Sequence, residues 1–423
     1  PSCAVTCTYA SGRGVEAEVG EPFRANPDCG QVFRDGGAVV WIAVPGSRFG
    51  VFHIQRKEVP LSKGERQFLN YFSATARGLL VQGDLKGIKI TQRIASRYSF
   101  EHVLVSRYLR RKRTGTLWTS ALILSELQDL SFQKYEGQPC TSGFVFFSEP
   151  AKQISKLADE YLFQPFEGVV KLDEGFFNTP AAYRYVDGRN AFYNVDNWQR
   201  VHGVARLKAP TKYSRVARSA HDHVEPLLRG LAGRAWVACS SRPTEVESIT
   251  WSGPHFRWIK SHWHFVDPSI LLDQLLNHDI APEVAVALVE VAFALSDMHV
   301  GTVLLIPDDV ATLPRVAGRI DSSALANALI WSFAGPPLPD LVADNSIVGV
   351  LGSDGLTIVS RSGEIVASGQ IIDLQAERPN EALGGGRTQA ALAASRHGLV
   401  LKVSQDGPVS LYRNGREVIK YNV

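Results

Sequence analysis

The chain has 423 residues, 45% of them apolar and 21% charged, which is the composition of an ordinary globular protein with room for two or three domains. A net charge of +3 is too small to argue for nucleic acid, and no apolar run reaches the length of a membrane-spanning helix. The opening residues PSCAVTCTYASGRG lack the basic-then-apolar layout of a signal peptide, so we expect a cytoplasmic protein without a membrane partner.

The cysteine pattern favours free thiols over a metal centre. Cys3, Cys7 and Cys29 lie near one another in the sequence, but no fourth ligand follows at zinc-finger spacing. Cys140 and Cys239 add no regular spacing to the pattern. An odd number of irregularly spaced cysteines is typical of reduced, structural thiols in a cytosolic protein, which is the interpretation we prefer.

Strand and helix patterns alternate through the first part of the chain. Residues 36–44 and 47–55 predict a hairpin that turns at Pro45-Gly46, and Ser62 is placed to cap a helix over residues 62–78. Further elements are predicted at residues 87–94 (a strand), 114–127 (a strand, then a helix), 144–147 (a buried strand) and from Ser148 onward (a helix).

A basic run, RYLRRKR at residues 107–113, is the feature that most suggests nucleic acid. Binding to single strands requires aromatic side chains that stack on bases, and only Tyr108 is interleaved in this run. A solvated basic face, or a cluster that holds an anionic ligand, is the preferred interpretation. We therefore expect no nucleic-acid partner.

Alternation over residues 258–268, WIKSHWHFVDP, predicts a strand with two histidines on one face. His262 and His264 could bind a transition metal in that arrangement, since imidazole suits several such ions. A metal is nevertheless the less favoured interpretation of the pair. Residues 269–277 predict a helix.

A domain boundary is predicted between residues 275 and 276. The stretch Asp279 to Glu283 combines an acidic first turn with Pro282, which is typical of a helix start, and this helix is expected to end near Met298. Residues 1–275 are interpreted as a larger α/β region with a sensory or regulatory role, and residues 276–423 as a separate α/β domain. In the latter, a strand is predicted at residues 301–309 and a helix at residues 321–333.

Two glycine-bearing turns are the main functional signals. Asp354-Gly355 follows the apolar run 347–351, interpreted as a strand, and Gly384 to Arg387 opens a predicted helix over residues 388–395. Glycines at a helix start let backbone N–H groups approach a phosphate, and the Arg387 guanidinium matches phosphate oxygens. The Asp354 carboxylate is suited to Mg²⁺ or Mn²⁺. The alternatives are a simple hairpin turn and a flexible loop.

The order of these elements resembles the diadenylate cyclase domain, the nucleotide-binding domain of the DNA integrity scanning protein. Asp354-Gly355-Leu356 is similar to the family's Asp-Gly-Ala loop, and Gly385 to Gln389 (GGRTQ) is similar to its Gly-Thr-Arg-His-Arg loop. The segment Ser404 to Gly407 (SQDG) stands where the family has an acidic turn, and residues 299–309 (HVGTVLLIPDD) look like its first strand. The resemblance covers residues 282–423.

This resemblance implies a mixed sheet flanked by helices and a nucleotidyltransferase that condenses two ATP molecules into cyclic di-AMP with release of pyrophosphate. It implies that Asp354 binds the metal and activates a 3′-hydroxyl, and that Arg387 holds phosphate oxygens. Nucleotide contacts are implied for Gly355, Leu356, Gly385, Gly386, Arg387, Thr388 and Ser404. Each 3′-hydroxyl attacks the other nucleotide, so the resemblance also implies self-association with two nucleotide domains facing each other.

The sequence also departs from the family pattern. The family's His and second Arg are Thr388 and Gln389 here, and the Glu of its acidic turn is Gln405. These changes favour a second hypothesis, a receptor of the same fold that binds ATP or a cyclic dinucleotide without turning it over. The retained Asp354 and Arg387 favour the enzyme.

Overall fold

A computed structural model describes much of the chain. The described residues are 4–25, 29–34, 37–44, 48–55, 59–80, 98–110, 117–147, 161–208, 228, 235–250, 255–319, 338–343, 346–352, 354–377 and 384–421. The predicted strand at residues 87–94, the helix from Ser148 and the helix at residues 321–333 lie outside them. No helix in these ranges has the length and apolar character needed to cross a membrane.

The described residues form two compact units, one from residues 4 to 267 and the other from residues 268 to 421. Both combine helices with β-sheets, so the predicted α/β class is confirmed. The division falls one helix earlier than the predicted boundary at 275/276. Helix Ser269–Leu276 buries Ile270, Leu271 and Leu275 and packs against helix Pro282–Asp297, which is why it belongs with the second unit.

The first unit contains an antiparallel sheet near its N-terminus. Its strands are β1 to β4, namely Ala4–Ser11, Cys29–Arg34, Gly37–Val44 and Arg48–Gln55, in the order β1-β4-β3-β2. The predicted hairpin is confirmed as β3 and β4. The helices that contact this sheet are α1 (Gly12–Val19), α2 (Glu21–Ala25) and α3 (Lys63–Leu80). Helix α3 starts with a capping box, in which Ser62 Oγ accepts from Glu65 N and Glu65 accepts from Ser62 N.

A larger sheet completes the first unit. Helices α4 to α7 are Phe100–Leu109, Leu117–Ser131, Glu174–Phe177 and Ala181–Arg184. Strands β5 to β14 are Lys134–Tyr135, Gln138–Pro139, Ser142–Phe147, Tyr161–Lys171, Ala191–Val195, Arg200–Leu207, Ala235–Arg242, Glu245–Thr250, His255–Ile259 and His262–Val266. Strands β5 and β6 pair alone, and the others are ordered β14-β13-β12-β11-β7-β9-β10-β8. The predicted buried strand at residues 144–147 is confirmed within β7.

Two sequence predictions in this unit were wrong. The segment predicted as a single strand over residues 258–268 is a hairpin, because Lys260 and Ser261 both adopt positive φ and reverse the chain between β13 and β14. From Leu117 the chain is helical in α5, whereas a strand followed by a helix was predicted. Helix α5 is buried on most of its surface, so its sequence lacks the periodicity that identifies an amphipathic helix.

The second unit is built on one mixed sheet. Helices α8 to α12 are Ser269–Leu276, Pro282–Asp297, Leu338–Ala343, Ser346–Leu351 and Gly386–Ala394. Strands β15 to β21 are Thr302–Pro307, Val316–Arg319, Leu356–Val359, Ile365–Ile372, Gly398–Val403, Val409–Arg413 and Arg416–Tyr421, in the order β16-β18-β17-β15-β19-β20-β21. Helices α9 and α12 confirm the helices predicted at residues 282–298 and 388–395. The run predicted as a strand at residues 347–351 is instead helix α11.

The strand directions bring separate loops to one edge of this sheet. Strand β15 runs parallel to β17, so that Gly301 and Gly355 precede strands that start at the same edge. Strand β19 runs antiparallel to β15, and Thr302 pairs with Val403. Ser404 therefore follows a strand that ends where the other two begin. We call this the site edge.

The close pairing of β15 and β19 generates a prediction for stability. A Cβ on Gly398 would lie 2.2 Å from Ile306 O, which is backbone and cannot move freely. We expect Gly398→Ala to destabilise the second unit by about 1–3 kcal/mol through overpacking. Gly349→Ala is the matched control, since this exposed helical glycine has open space and Ala has the higher helix propensity. Equal thermal unfolding of both variants in calorimetry would contradict the prediction.

Candidate functional site

The centre of the site edge is an ion pair between the two predicted motifs. Arg387, in the first turn of α12, donates from its terminal nitrogen to Asp354 Oδ1 at 2.5 Å. The side chains are 34% and 67% exposed, respectively. The structure thus brings together Arg387, which was predicted to bind phosphate, and Asp354, which was predicted to bind a metal ion. The two residues lie 33 positions apart in the sequence.

Gly301 makes room for this guanidinium. A Cβ on Gly301 would lie 2.9 Å from one terminal nitrogen of Arg387 and 3.1 Å from Gln405 Cγ. The absence of a side chain at residue 301 therefore lets Arg387 lie over the start of β15. One contact group therefore consists of Gly301, Gln405 and Arg387, and Asp354 joins it through its ion pair with Arg387.

The glycines of the two motifs differ in whether the backbone conformation requires a glycine. Gly384 has φ +90° and Gly355 has φ +94°, conformations that favour glycine. A Cβ at Gly385 or Gly386 would instead meet no atom of the described residues within 4 Å. Gly385 is the N-cap residue of α12 and caps it without a side chain, and no acidic residue lies in the first turn. Within the described part of the chain, nothing covers the position that a side chain at Gly385 or Gly386 would take.

Thr388 lies in the first turn of α12 and has a cationic neighbour. Its Oγ1 accepts a hydrogen bond from Lys402 Nζ at 2.8 Å. Lys402 is on β19, and burial lowers the pKa of this half-buried lysine. A second cation of the site edge, Lys402, therefore lies beside Thr388.

The turn after β19 is attached to the segment before β15. Ser404 O accepts from Gly407 N at 3.0 Å, which closes the turn. His299 Nδ1 bonds to the Gln405 carbonyl oxygen at 3.1 Å, and Ser296 Oγ donates to the Gly407 carbonyl oxygen at 2.5 Å. Ser404 is half-buried at the site edge, and the exposed Gln405 presents a neutral amide.

Leu356 does not present its side chain at this surface. Its side chain is 2% exposed and belongs to the core of the second unit, with Val303, Ile358 and Val400. Leu356 is the first residue of β17, a strand whose four side chains are all buried. A contact between Leu356 and a ligand could therefore use only its backbone.

Metal ligands are sparse in this structure. No group of three or more His, Cys, Asp or Glu side chains suited to a metal ion occurs among the residues that the structure describes. His262 lies 3.7 Å from Glu101 and is 71% exposed, which is a surface contact. Asp354 is the carboxylate that contacts Arg387. An ion such as Mg²⁺ is commonly held by one or two carboxylates together with substrate phosphates, so Asp354 fits an ion that arrives with a nucleotide.

Gly301 and Lys402 were not predicted from the sequence as site residues. Gly301 lies within the stretch HVGTVLLIPDD, and a glycine directly before a buried strand signals a close backbone approach. Lys402 interrupts the apolar strand GLVLKV near its end. This lone cation in an otherwise buried strand was the signal that could have identified it.

Comparisons with known proteins are sparse. No family model and no curated protein matches the chain. Among solved structures, a hypothetical membrane spanning protein from Bacillus cereus is 19% identical and aligns over 36% of this chain and 71% of its own, with a TM-score of 0.26. A double cysteine mutant of DacA from Staphylococcus aureus is 15% identical and aligns over 35% of this chain and 87% of its own, with a TM-score of 0.20. At such TM-scores the likeness carries no conclusion about fold or function.

The contact between Gly301 and Arg387 generates a prediction. Gly301→Ala should displace the guanidinium of Arg387. This group is the flexible end of the Arg387 side chain, so the substitution should cost little stability. For the ATP binding that the diadenylate cyclase resemblance implies, we expect the affinity to fall about tenfold, the effect of one charge-assisted hydrogen bond. Gly318→Ala, where a Cβ meets nothing within 4 Å, is the control in the same sheet. Calorimetric titration that gives equal affinities for the two variants would refute this role of Gly301.

Proposed function

We propose that the second unit is a nucleotidyltransferase, which binds ATP with Mg²⁺ or Mn²⁺ and condenses two ATP molecules into cyclic di-AMP. The observation that carries the proposal is the 2.5 Å contact between Asp354 and Arg387 at the site edge. A carboxylate for a cation and a guanidinium for phosphate oxygens are the two groups that this chemistry needs side by side. The resemblance of both loops to diadenylate cyclase motifs supports the same reaction.

In this proposal the polyphosphate binds at the start of α12. The N–H groups of the first turn and the positive end of the helix favour an anion there. Gly385 and Gly386 would allow close approach, since a Cβ at either residue would meet no atom of the described residues within 4 Å. Arg387 and the hydroxyl of Thr388 would bind phosphate oxygens, and Ser404 would lie beside the nucleotide on the neighbouring turn.

Asp354 is the proposed metal ligand and the proposed proton acceptor. It is 67% exposed and contacts Arg387 through Oδ1. A bound Mg²⁺ or Mn²⁺ supplies neutralisation of the charge that develops on the phosphate oxygens. The carboxylate would orient the 3′-hydroxyl and accept its proton, while Arg387 holds the α-phosphate oxygens.

The proposed reaction requires two copies of the site. The 3′-oxygen of one ATP forms a bond to the α-phosphorus of the other, and the bond from that phosphorus to pyrophosphate breaks. The 3′-proton leaves with Asp354 or solvent, and the same exchange in the opposite direction closes the ring. Two second units must therefore face each other, and much of the rate gain comes from holding the nucleotides in line.

A nucleotide receptor is the second candidate function. One carboxylate contacts Arg387 in the described part of the site, and Gln405 presents a neutral amide near Gly301. Thr388 bonds to Lys402 and has no acid or base to contribute at neutral pH. This arrangement favours binding over proton transfer. A receptor would bind ATP or a cyclic dinucleotide at the same place without forming product.

Turnover tests the two functions directly. We expect purified protein with ATP and Mg²⁺ or Mn²⁺ to form cyclic di-AMP slowly, because charge-stabilising groups are few and each can contribute roughly 10²-fold in rate. Asp354→Asn should abolish the product while the fold is retained, since the side chains are nearly equal in size. The control is Asp279→Asn, which removes a carboxylate that is 91% exposed and ion-pairs with Arg361.

Chromatography with mass spectrometry measures this product. Equal product from wild type and Asp354→Asn would show that Asp354 is not catalytic. Tight ATP binding without product under either metal would reject the nucleotidyltransferase and leave the receptor.

The ion pair generates a separate prediction for binding without metal. In EDTA, Asp354 repels the polyphosphate and competes with it for Arg387. We expect Asp354→Asn to bind ATP about two- to fivefold more tightly than wild type, as suits an exposed ion pair. Adding Mg²⁺ should tighten ATP binding to wild type more than to the variant. A metal-free affinity that is unchanged or weaker in the variant would contradict this competition.

A further inference from the structure

Lys402 points toward the helix that carries Arg387. Side chains two residues apart share a face of a strand, and Val400 belongs to the core that also contains Ala391 and Ala394 of α12. Lys402 pairs with Val303 on β15, one pair from the end of the β15–β19 ladder at the site edge. Its stem therefore runs beneath α12 and its ammonium emerges at the first helical turn.

The partner of this ammonium is neutral. Lys402 Nζ donates to Thr388 Oγ1 at 2.8 Å, and within the described residues no carboxylate lies at ion-pair distance from it. Burial lowers the pKa of Lys402, and the charges of Lys420 and Arg387 add to the lowering, against the carboxylates of Glu417 and Asp406. With no ion-paired carboxylate among the described residues, this half-buried cation is unfavourable, and an anionic ligand would relieve that cost.

A polyphosphate carries several negative charges, whereas Arg387 supplies a single positive charge. Arg387 already shares its charge with Asp354 at 2.5 Å. An ammonium has three donors, of which the bond to Thr388 uses one. Arg387 and Thr388 are consecutive residues, so the two cations flank the same helical turn. Both can reach one phosphate chain that lies at the start of α12.

We propose that Lys402 is a second phosphate-binding residue of this site and that it binds the polyphosphate chain of a nucleoside triphosphate together with Arg387. This inference rests on the proposed nucleotide function. It adds a second positive charge, that of Lys402, to the one that Arg387 supplies. Thr388 positions the ammonium before the ligand arrives. The part of the nucleotide that Lys402 would bind is the chain of linked phosphates, not the base or the sugar.

The test uses ligands that differ in their phosphates. ATP, inorganic pyrophosphate and adenosine are titrated calorimetrically into the full chain in EDTA, which prevents metal-dependent turnover. Lys402→Met should bind ATP and pyrophosphate about 10- to 100-fold more weakly, the effect of a charged hydrogen bond. Adenosine affinity should not change. Lys402→Arg should retain most of the ATP affinity, since it keeps the cation.

Lys420→Met is the matched control. Lys420 pairs with Ser410, which in turn pairs with Lys402, so both lysines lie in one row of the sheet and lose the same charge on substitution. We expect Lys420→Met to change ATP affinity by less than about threefold at physiological ionic strength, where screening weakens distant charges. If Lys402→Met does not fold, Lys402→Gln replaces it, because Gln can still donate to Thr388.

The outcomes separate this inference from the proposed function. Wild-type affinity for ATP in the Lys402 variants, or an equal loss of ATP and adenosine, overturns the phosphate role of Lys402. A wild-type protein that binds neither ATP nor pyrophosphate overturns it as well. Phosphate binding that depends on Lys402, in a protein that forms no cyclic dinucleotide, supports Lys402 and rejects the turnover.

Discussion

The directions of three strands determine the candidate site. Strand β15 lies between the parallel β17 and the antiparallel β19, so two strands begin and one ends at the same edge. Leu356 anchors the Asp354 loop because its side chain is buried in the core. Helix α12 packs on β15 and β19 with its N-terminus toward that edge. Reversing any of these directions would separate Asp354 from Arg387.

The two edges of this sheet use Arg–Asp pairs differently. At the opposite edge, Asp308 accepts from Arg413 at 2.8 Å and from Arg361 at 3.1 Å. Burial alone would raise the pKa of Asp308, but Arg413 and then Arg361 hold this pKa below its ordinary value. The Asp354–Arg387 pair has one guanidinium and greater exposure. Such a pair contributes about 0–1 kcal/mol, so a cation and a phosphate can displace it.

Local signals predicted the fold where one or two residues determine an element. Pro45-Gly46 marked a hairpin and Pro282 marked a helix start, and both elements are present. The run IVGVL at residues 347–351 was assigned to a strand because short apolar runs fit either structure, and tertiary packing made it helical. The Lys260-Ser261 turn lacks the usual Asn-Gly signal, which is why the hairpin was missed.

The candidate site was predictable only in part, because its contacts depend on strand order. Asp354 and Arg387 were recognised from their own loops, but nothing local shows that they meet. The approach of Gly301 to Arg387 joins residues that are distant in sequence and follows only from the β15–β19 pairing. Cations hold phosphate oxygens, whereas attack by a hydroxyl also needs a proton acceptor, and in the proposed reaction Asp354 would take that part only once a phosphate has drawn Arg387 away from it. The proposed binding would therefore use several groups of this edge, while the proposed turnover would depend on one carboxylate that its own neighbour Arg387 restrains.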